Sequence, residues 1–234
     1  MCIVSYLPTP DGSLITSNRD EIITRDMALM PAVYEIEGHS LMFPKDPVGG
    51  GTWIAAGQKA TVCLFNGAFE AHEHHPPYRH SRGLIPIAYF NFHDPKTFVG
   101  QFNFNGIEPF SMIVFESGRL SEIKWDEQKA HLLEHDPNTP QIWSSALLYA
   151  RKVREEHKRK FHLWWESDPD ISSQAAMAFH VGGSTHDESG LRIRRDDGLC
   201  TVSVTSVERG EGQGSRMYYR DLVQDFQSEQ WVKH

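Results

Sequence analysis

Hydrophobic residues fall in short runs between turn residues over the first third of the chain, and these runs set the expected elements. Residues 3–7 form a strand run, Pro8 through Gly12 supply a turn, and residues 13–18 form a second run. Residues 32–37 and 41–43 flank a Gly38-His39 turn, and residues 52–56 and 60–65 flank Gly57-Gln58-Lys59. The first run is apolar at both parities (Ile3, Val4, Tyr6, Leu7), the mark of a strand covered on both faces. Residues 67–81 are a polar loop rich in His and Pro, after which the period changes. Residues 82–91 read as helical, and Asp94-Pro95 gives an N-cap and first-turn pair for a second short helix. Strands return at 111–115 and 121–125 around Ser117-Gly118.

The longest helix is expected at 141–165, where Ile142, Ala146, Tyr149, Val153 and Phe161 recur at three-to-four spacing. Another is expected at 171–179 ahead of Gly182-Gly183, and strands at 201–208 and 217–222 close the chain around a hairpin turn at 210–214. No internal repeat, low-complexity segment or linker interrupts the pattern. The expectation is a single domain over residues 1–234, of α+β class, with stacked antiparallel sheets and helices outside.

Composition narrows the function classes. A chain of 234 residues with 39% hydrophobic and 23% charged residues suits a globular protein. A net charge of −8 disfavours a general nucleic-acid binder. No apolar stretch is long enough for a transmembrane helix, and Met1-Cys2-Ile3-Val4 lacks the features of a signal peptide. Three cysteines, at 2, 63 and 200, make no disulfide framework and no four-cysteine zinc site, so a cytoplasmic setting is expected.

Cys2 carries the most chemistry. Methionine ahead of so small a residue is normally removed, which would leave one residue holding a thiol and a free α-amine. The amine titrates near 7.7–8.0 and the thiol near 8.5, so the residue is nucleophile and base at once. By position alone, a small buried Cys at a strand start is the commoner role. Asn18-Arg19-Asp20-Glu21 ends the second run. A two-residue turn at Asp11-Gly12 would set Val4 opposite Arg19 and Cys2 opposite Glu21. Alternation then puts Arg19 and Glu21 on the face of Cys2, with Asn18 and Asp20 pointing away. Arg19 beside the sulfur would favour the thiolate.

Other clusters are weaker. His72, His74, His75 and His80 are the densest set of metal-type ligands, but tandem prolines keep that loop extended, and no metal site is expected. His131 and His135, four apart, fit one face of a helix, but the run around them is too short to set one and no ligand role is expected. Gly49-Gly50-Gly51 is followed by a strand rather than by Lys-Ser or Lys-Thr. It reads as a close backbone approach beside a cleft. Residues 151–160 hold six basic and two acidic residues, the wet face of an amphipathic helix.

Met1-Cys2-Ile3-Val4, Asn18-Arg19-Asp20-Glu21, Gly50-Gly51-Thr52-Trp53, Asn66, Ser81-Arg82-Gly83 and a late strand at 201–209 stand in an order that resembles the Asn-Arg-Asp-Glu, or transport-and-Golgi-organisation 2, family. That family is similar to the cysteine N-terminal nucleophile hydrolases. The resemblance implies a four-layer αββα sandwich and hydrolysis of a linear C–N amide, with a small-molecule amide as partner. It implies catalytic roles for Cys2, Arg19, Asp20 and Asn66, and substrate contacts from Asn18, Glu21, Gly51, Thr52, Trp53 and Arg82. No cofactor is required. The alternative it implies is a non-catalytic carrier holding haem or an acyl lipid in the same cleft. The related hydrolases separate the Arg from the Asp by two residues, whereas Arg19 and Asp20 are adjacent.

Overall fold

The N-terminal apolar run is buried on both faces because it lies inside a sheet with a layer packed on each side. The computed structural model describes residues 3–183, 189–210, 212 and 214–232. Cys2 lies outside the described residues. In chain order the strands are β1 (Ile3–Thr9), β2 (Gly12–Ile22), β3 (Leu29–Ile36), β4 (His39–Lys45), β5 (Ile54–Ala56), β6 (Ala60–Asn66), β7 (Phe110–Glu116), β8 (Arg119–Trp125), β9 (Ala130–His135), β10 (Gln141–Ser144), β11 (Leu199–Gly210), β12 (Gly214–Asp221) and β13 (Phe226–Val232). The helices are α1 (Ile85–Ala88), flanked by short 3₁₀ turns, α2 (Pro95–Gln101), α3 (Arg151–Glu166) and α4 (Ser173–Val181).

All pairings between these strands are antiparallel. One sheet runs β10-β1-β2-β11-β12-β13, and the other is a meander from β3 to β9. Between them lies one apolar core, with Val4, Tyr6 and Ile15 facing Met42, Cys63 and Ile113. A second core joins the meander's outer face (Val62, Met112) to Ile85, Tyr89 and Phe98 of the α1–α2 segment. A third joins Ile3, Leu7 and Leu14 to Phe161 and Ala176 of α3 and α4. The fold is α+β, two stacked antiparallel sheets with helices on both outer faces. Among the described residues, no helix is long and apolar enough to cross a membrane.

Local signals explain several elements. Asp94 accepts the Thr97 N–H at 2.7 Å and caps α2, whose first residue is Pro95. Ser172 caps α4 through the Ala175 N–H at 3.3 Å, and Gly182 ends it. Three expectations are corrected. The helix drawn over 141–165 is two elements: β10 pairs with β1 through Val4 and Trp143, and α3 starts only at Arg151. The three-to-four spacing there was fortuitous, because edge pairing took residues 141–144. His131 and His135 sit on β9, a strand that pairs with β8, so the four-residue spacing gives them no shared helical face. A final strand, β13, follows the two expected at the end of the chain. Its alternation is masked by polar residues, as four of its seven residues are exposed.

The first hairpin also shifts. Thr9 pairs with Gly12, so the turn is Pro10-Asp11 and Val4 faces Ser17 instead of Arg19. Gly12 must stay in the ladder, since a Cβ there would sit 2.0 Å from the Arg209 carbonyl oxygen of β11. The shift is by two positions, so the parity of every side chain is kept.

Candidate active site

Alternation along β2 splits the Asn18–Glu21 segment between two environments. Even positions face the helices. Asn18 is fully buried, and its amide donates to the carbonyls of His180 (3.2 Å) and Leu191 (2.7 Å). Its oxygen is therefore left for His180 Nδ1 at 3.0 Å, which must carry the proton, and His180 Nε2 accepts from the Ser5 hydroxyl at 2.7 Å. Burial, with His157 nearby, depresses His180 to about 3, so the ring is neutral. The Ser5–His180–Asn18 chain has the make-up of a nucleophile triad, yet all three residues are buried and none lines a described cavity. It ties α4 to β1 and β2. Asp20 lies on the same face, 3% exposed, accepting from Thr201 Oγ1 at 2.6 Å and the Tyr149 hydroxyl at 3.2 Å.

Odd positions face a cavity of about 430 Å³ at the end of β2, where Arg19 and Glu21 form part of the lining. Ile3 pairs with Asn18, so Arg19 stands one step past the last described pair of the first hairpin. Opposite it, the register of β11 shifts between Thr201 and Ser203, a bulge of the kind that re-aims side chains beside functional sites. Arg19 is only 4% exposed. A buried guanidinium must be paired. Its Nη2 donates to Asp46 Oδ2 at 3.3 Å and lies 3.9 Å from Glu21, and its plane sits 5.0 Å over the Trp53 ring.

Asp46 organises this wall. Its Oδ2 also receives Arg25 Nε and Nη2 at 3.1 and 2.9 Å. Its Oδ1 accepts the N–H groups of Val48 and Gly49 at 2.9 and 3.1 Å, which shapes the turn carrying Gly50 and Gly51. Burial pushes the Asp46 carboxyl up, but the Gly49 N–H, Arg25 and Arg19 outweigh it and hold the group below the usual carboxylate range. The turn packs against the start of the α1 segment: Thr52 N–H donates to Gly83 O at 2.8 Å, and a Cβ on Gly51 would meet that oxygen at 2.2 Å. The glycine triplet is thus a close backbone approach beside a cleft.

The opposite wall comes from Tyr78, His80 and Ser81 of the 67–81 loop, from Arg82 and Gly83, and from Glu108 just ahead of β7. Arg82 donates to Pro109 O at 3.0 Å and pairs with Glu108 at 3.0 Å. Glu108 in turn meets His72 and His74 at 3.3 Å each, which fixes the loop over the cavity. Among the described residues, no group of three or more His, Cys, Asp and Glu is placed to hold a metal ion.

Of the residues expected at a site, Arg19, Glu21 and Asn66 line this cavity together with Gly51, Thr52, Trp53 and Arg82. Asn66 ends β6, with its carbonyl accepting the Ser145 hydroxyl at 2.7 Å. Asn18 and Asp20 are outside the cavity lining. Sequence reasoning missed Asp46, Arg25 and Glu108. Asp46 followed by Pro47-Val48-Gly49 is an Asx-turn signal that marks the first of these; nothing local marks the other two. The three arginines of the lining face three carboxylates, Glu21, Asp46 and Glu108, so the cavity is polar and charge-balanced.

Comparison with known proteins supplies one relationship. The family model described as Transport and Golgi organisation 2 matches residues 1–180. No curated protein matches the chain. The match begins at residue 1, spans most of the chain and covers every residue that lines the cavity. The chain therefore belongs to the Transport and Golgi organisation 2 family.

Proposed function

We propose that the chain is a cysteine N-terminal nucleophile amidohydrolase acting on a linear C–N amide in the cavity beside Arg19. The observation that carries this reading is a buried, carboxylate-held arginine one step beyond the pairing of β1 with β2, in a polar cavity large enough for a small substrate. In the sequence Cys2 immediately precedes β1.

In this reading removal of Met1 frees the α-amine of Cys2, which takes the thiol proton. The thiolate attacks the amide carbon, and the electron pair moves to oxygen. The Asn66 side chain donates to that oxyanion, and Arg19 stabilises the thiolate. The tetrahedral intermediate collapses, the C–N bond breaks, and the ammonium passes its proton to the leaving amine. Water, deprotonated by the same α-amine, then attacks the thioester and releases the acid and the thiol. Asp20 takes a positioning role: its bonds to Thr201 and Tyr149 hold the end of β2. A haem macrocycle or acyl chain needs broad apolar walls, and a lining with three arginines and three carboxylates favours the amide over that alternative.

The test is amine release from a panel of small N-acyl amides. The wild type is expected to turn over at least one of them and Cys2→Ala none. Arg19→Gln should be slower by about a hundredfold, the range for loss of one electrostatic contact in a site. Equal turnover by Cys2→Ala, or no turnover across the panel, would overturn the reading.

A further inference from the structure

A second cavity, of about 510 Å³, adjoins the end of β2 and differs from the first in charge. It is built on a short extended segment. Residue 193 donates to Thr201 Oγ1 at 2.9 Å and accepts the Thr201 N–H at 2.9 Å, and Arg194 bridges to Cys200. Ile193 belongs to the core beneath the helices and also borders the cavity, and Arg192 and Arg194 flank it at alternate positions. Both line the cavity, and its lining contains no carboxylate. Neither has a hydrogen-bond or ion-pair partner among the described residues. In a chain of net charge −8, two arginines in a cavity lining without a carboxylate are out of the ordinary.

The remaining wall is aliphatic. Ile23, Leu222 and Val223 face the same space, with Ile23 45% and Val223 46% exposed. Two positions apart on an extended segment, the arginines have Cα atoms about 7 Å apart, and long side chains so placed can converge on a single oxyanion, each offering a forked pair of donors. We propose that this cavity binds a small organic anion, a carboxylate or phosphate monoester with a short aliphatic body. Its oxyanion lies between Arg192 and Arg194, and its body lies against Ile23, Leu222 and Val223. The Cys200 thiol is also part of the lining and reports occupancy. Burial pushes that thiol up, Arg194 pulls it down, Asp20 pushes it up and Arg192 pulls it down, which places both cations within electrostatic reach of the sulfur.

The test is calorimetric titration of the full chain with hexanoate, hexyl phosphate, inorganic phosphate and 1-hexanol. One of the two hexyl anions is expected to bind at least tenfold more tightly than either inorganic phosphate or hexanol, and the tighter of the two identifies the headgroup. Arg192→Gln and Arg194→Gln should each weaken it about tenfold, the scale of one charge-assisted contact. Arg151→Gln, exposed on α3, should bind as the wild type does, and so should Cys2→Ala, which separates this site from the hydrolase reading. The bound anion should also slow iodoacetamide labelling of Cys200, scored on its own peptide. Circular dichroism confirms that each variant is folded. Three results would each overturn the proposal: no saturable binding of either hexyl anion, unchanged affinity in both arginine variants, or equal affinity for hexanol or inorganic phosphate.

Discussion

A single carboxylate, Asp46, decides how much of the cavity wall is in place. It joins two arginines to the turn that carries Gly50 and Gly51, so Asp46→Asn should cost about 1–3 kcal/mol of stability, the range for a charged group left short of a partner. Because the folded-state acidity of Asp46 is increased, its contribution is present at neutral pH and is lost as pH falls below about 4. Denaturant unfolding at pH 7 and pH 3 should therefore separate wild type from Asp46→Asn by more at the first pH than at the second. His180 acts over a higher window. Its ring titrates near 6.5 in the unfolded chain but near 3 in the fold, so the unfolded state binds the extra proton between those values. Stability should fall on acidification from about pH 6.5 by up to about 1.4 kcal/mol per pH unit. His180→Asn should be less stable at pH 7 and show a flatter slope in thermal unfolding from pH 7 to 4.5. At this scale the sequence was legible where alternation applied: Arg19 and Glu21 separate from Asn18 and Asp20 as β2 parity requires. It was opaque where a partner comes from a distant turn, as Asp46 does for Arg19.

Elements were legible where a run was bounded by its own turn chemistry, and lost where tertiary pairing overrode the local period. Ser117-Gly118 and Asp94-Pro95 are self-contained signals, and the elements beside them fall where those residues dictate. Residues 141–144 carry apolar positions that fit a helix as well as a strand, and only the free edge of β1 settles them as β10. The polar positions of β13 gave no period to read. One prediction belongs to this scale. Gly51→Ala would put a Cβ at 2.2 Å from the Gly83 carbonyl oxygen, a backbone atom that cannot swing aside. The Asp46–Gly51 turn must then part from the α1 segment and break the Thr52–Gly83 hydrogen bond. We expect a loss of about 2–4 kcal/mol in denaturant unfolding, beyond the usual range for a surface substitution. A loss under 0.5 kcal/mol would contradict the close approach.

Across the whole molecule, the strand that carries Arg19 depends on the far end of the chain. β2 is hydrogen-bonded on one side by β1 and on the other by β11, which lies past the residues the family model matches. A chain ending at residue 180 would lose β11, β12 and β13 and leave a central strand with an open edge. It is expected to show no cooperative unfolding transition, and a sharp one would contradict the sheet order. The central claim rests on the other end of the chain, and intact mass of the protein purified from cells, before and after a thiol-directed alkylator at neutral pH, tests it most directly. The account predicts a mass lacking Met1 and fast addition of one label that disappears in Cys2→Ala. Retained Met1, or labelling no faster in the wild type than in Cys2→Ala, would contradict it.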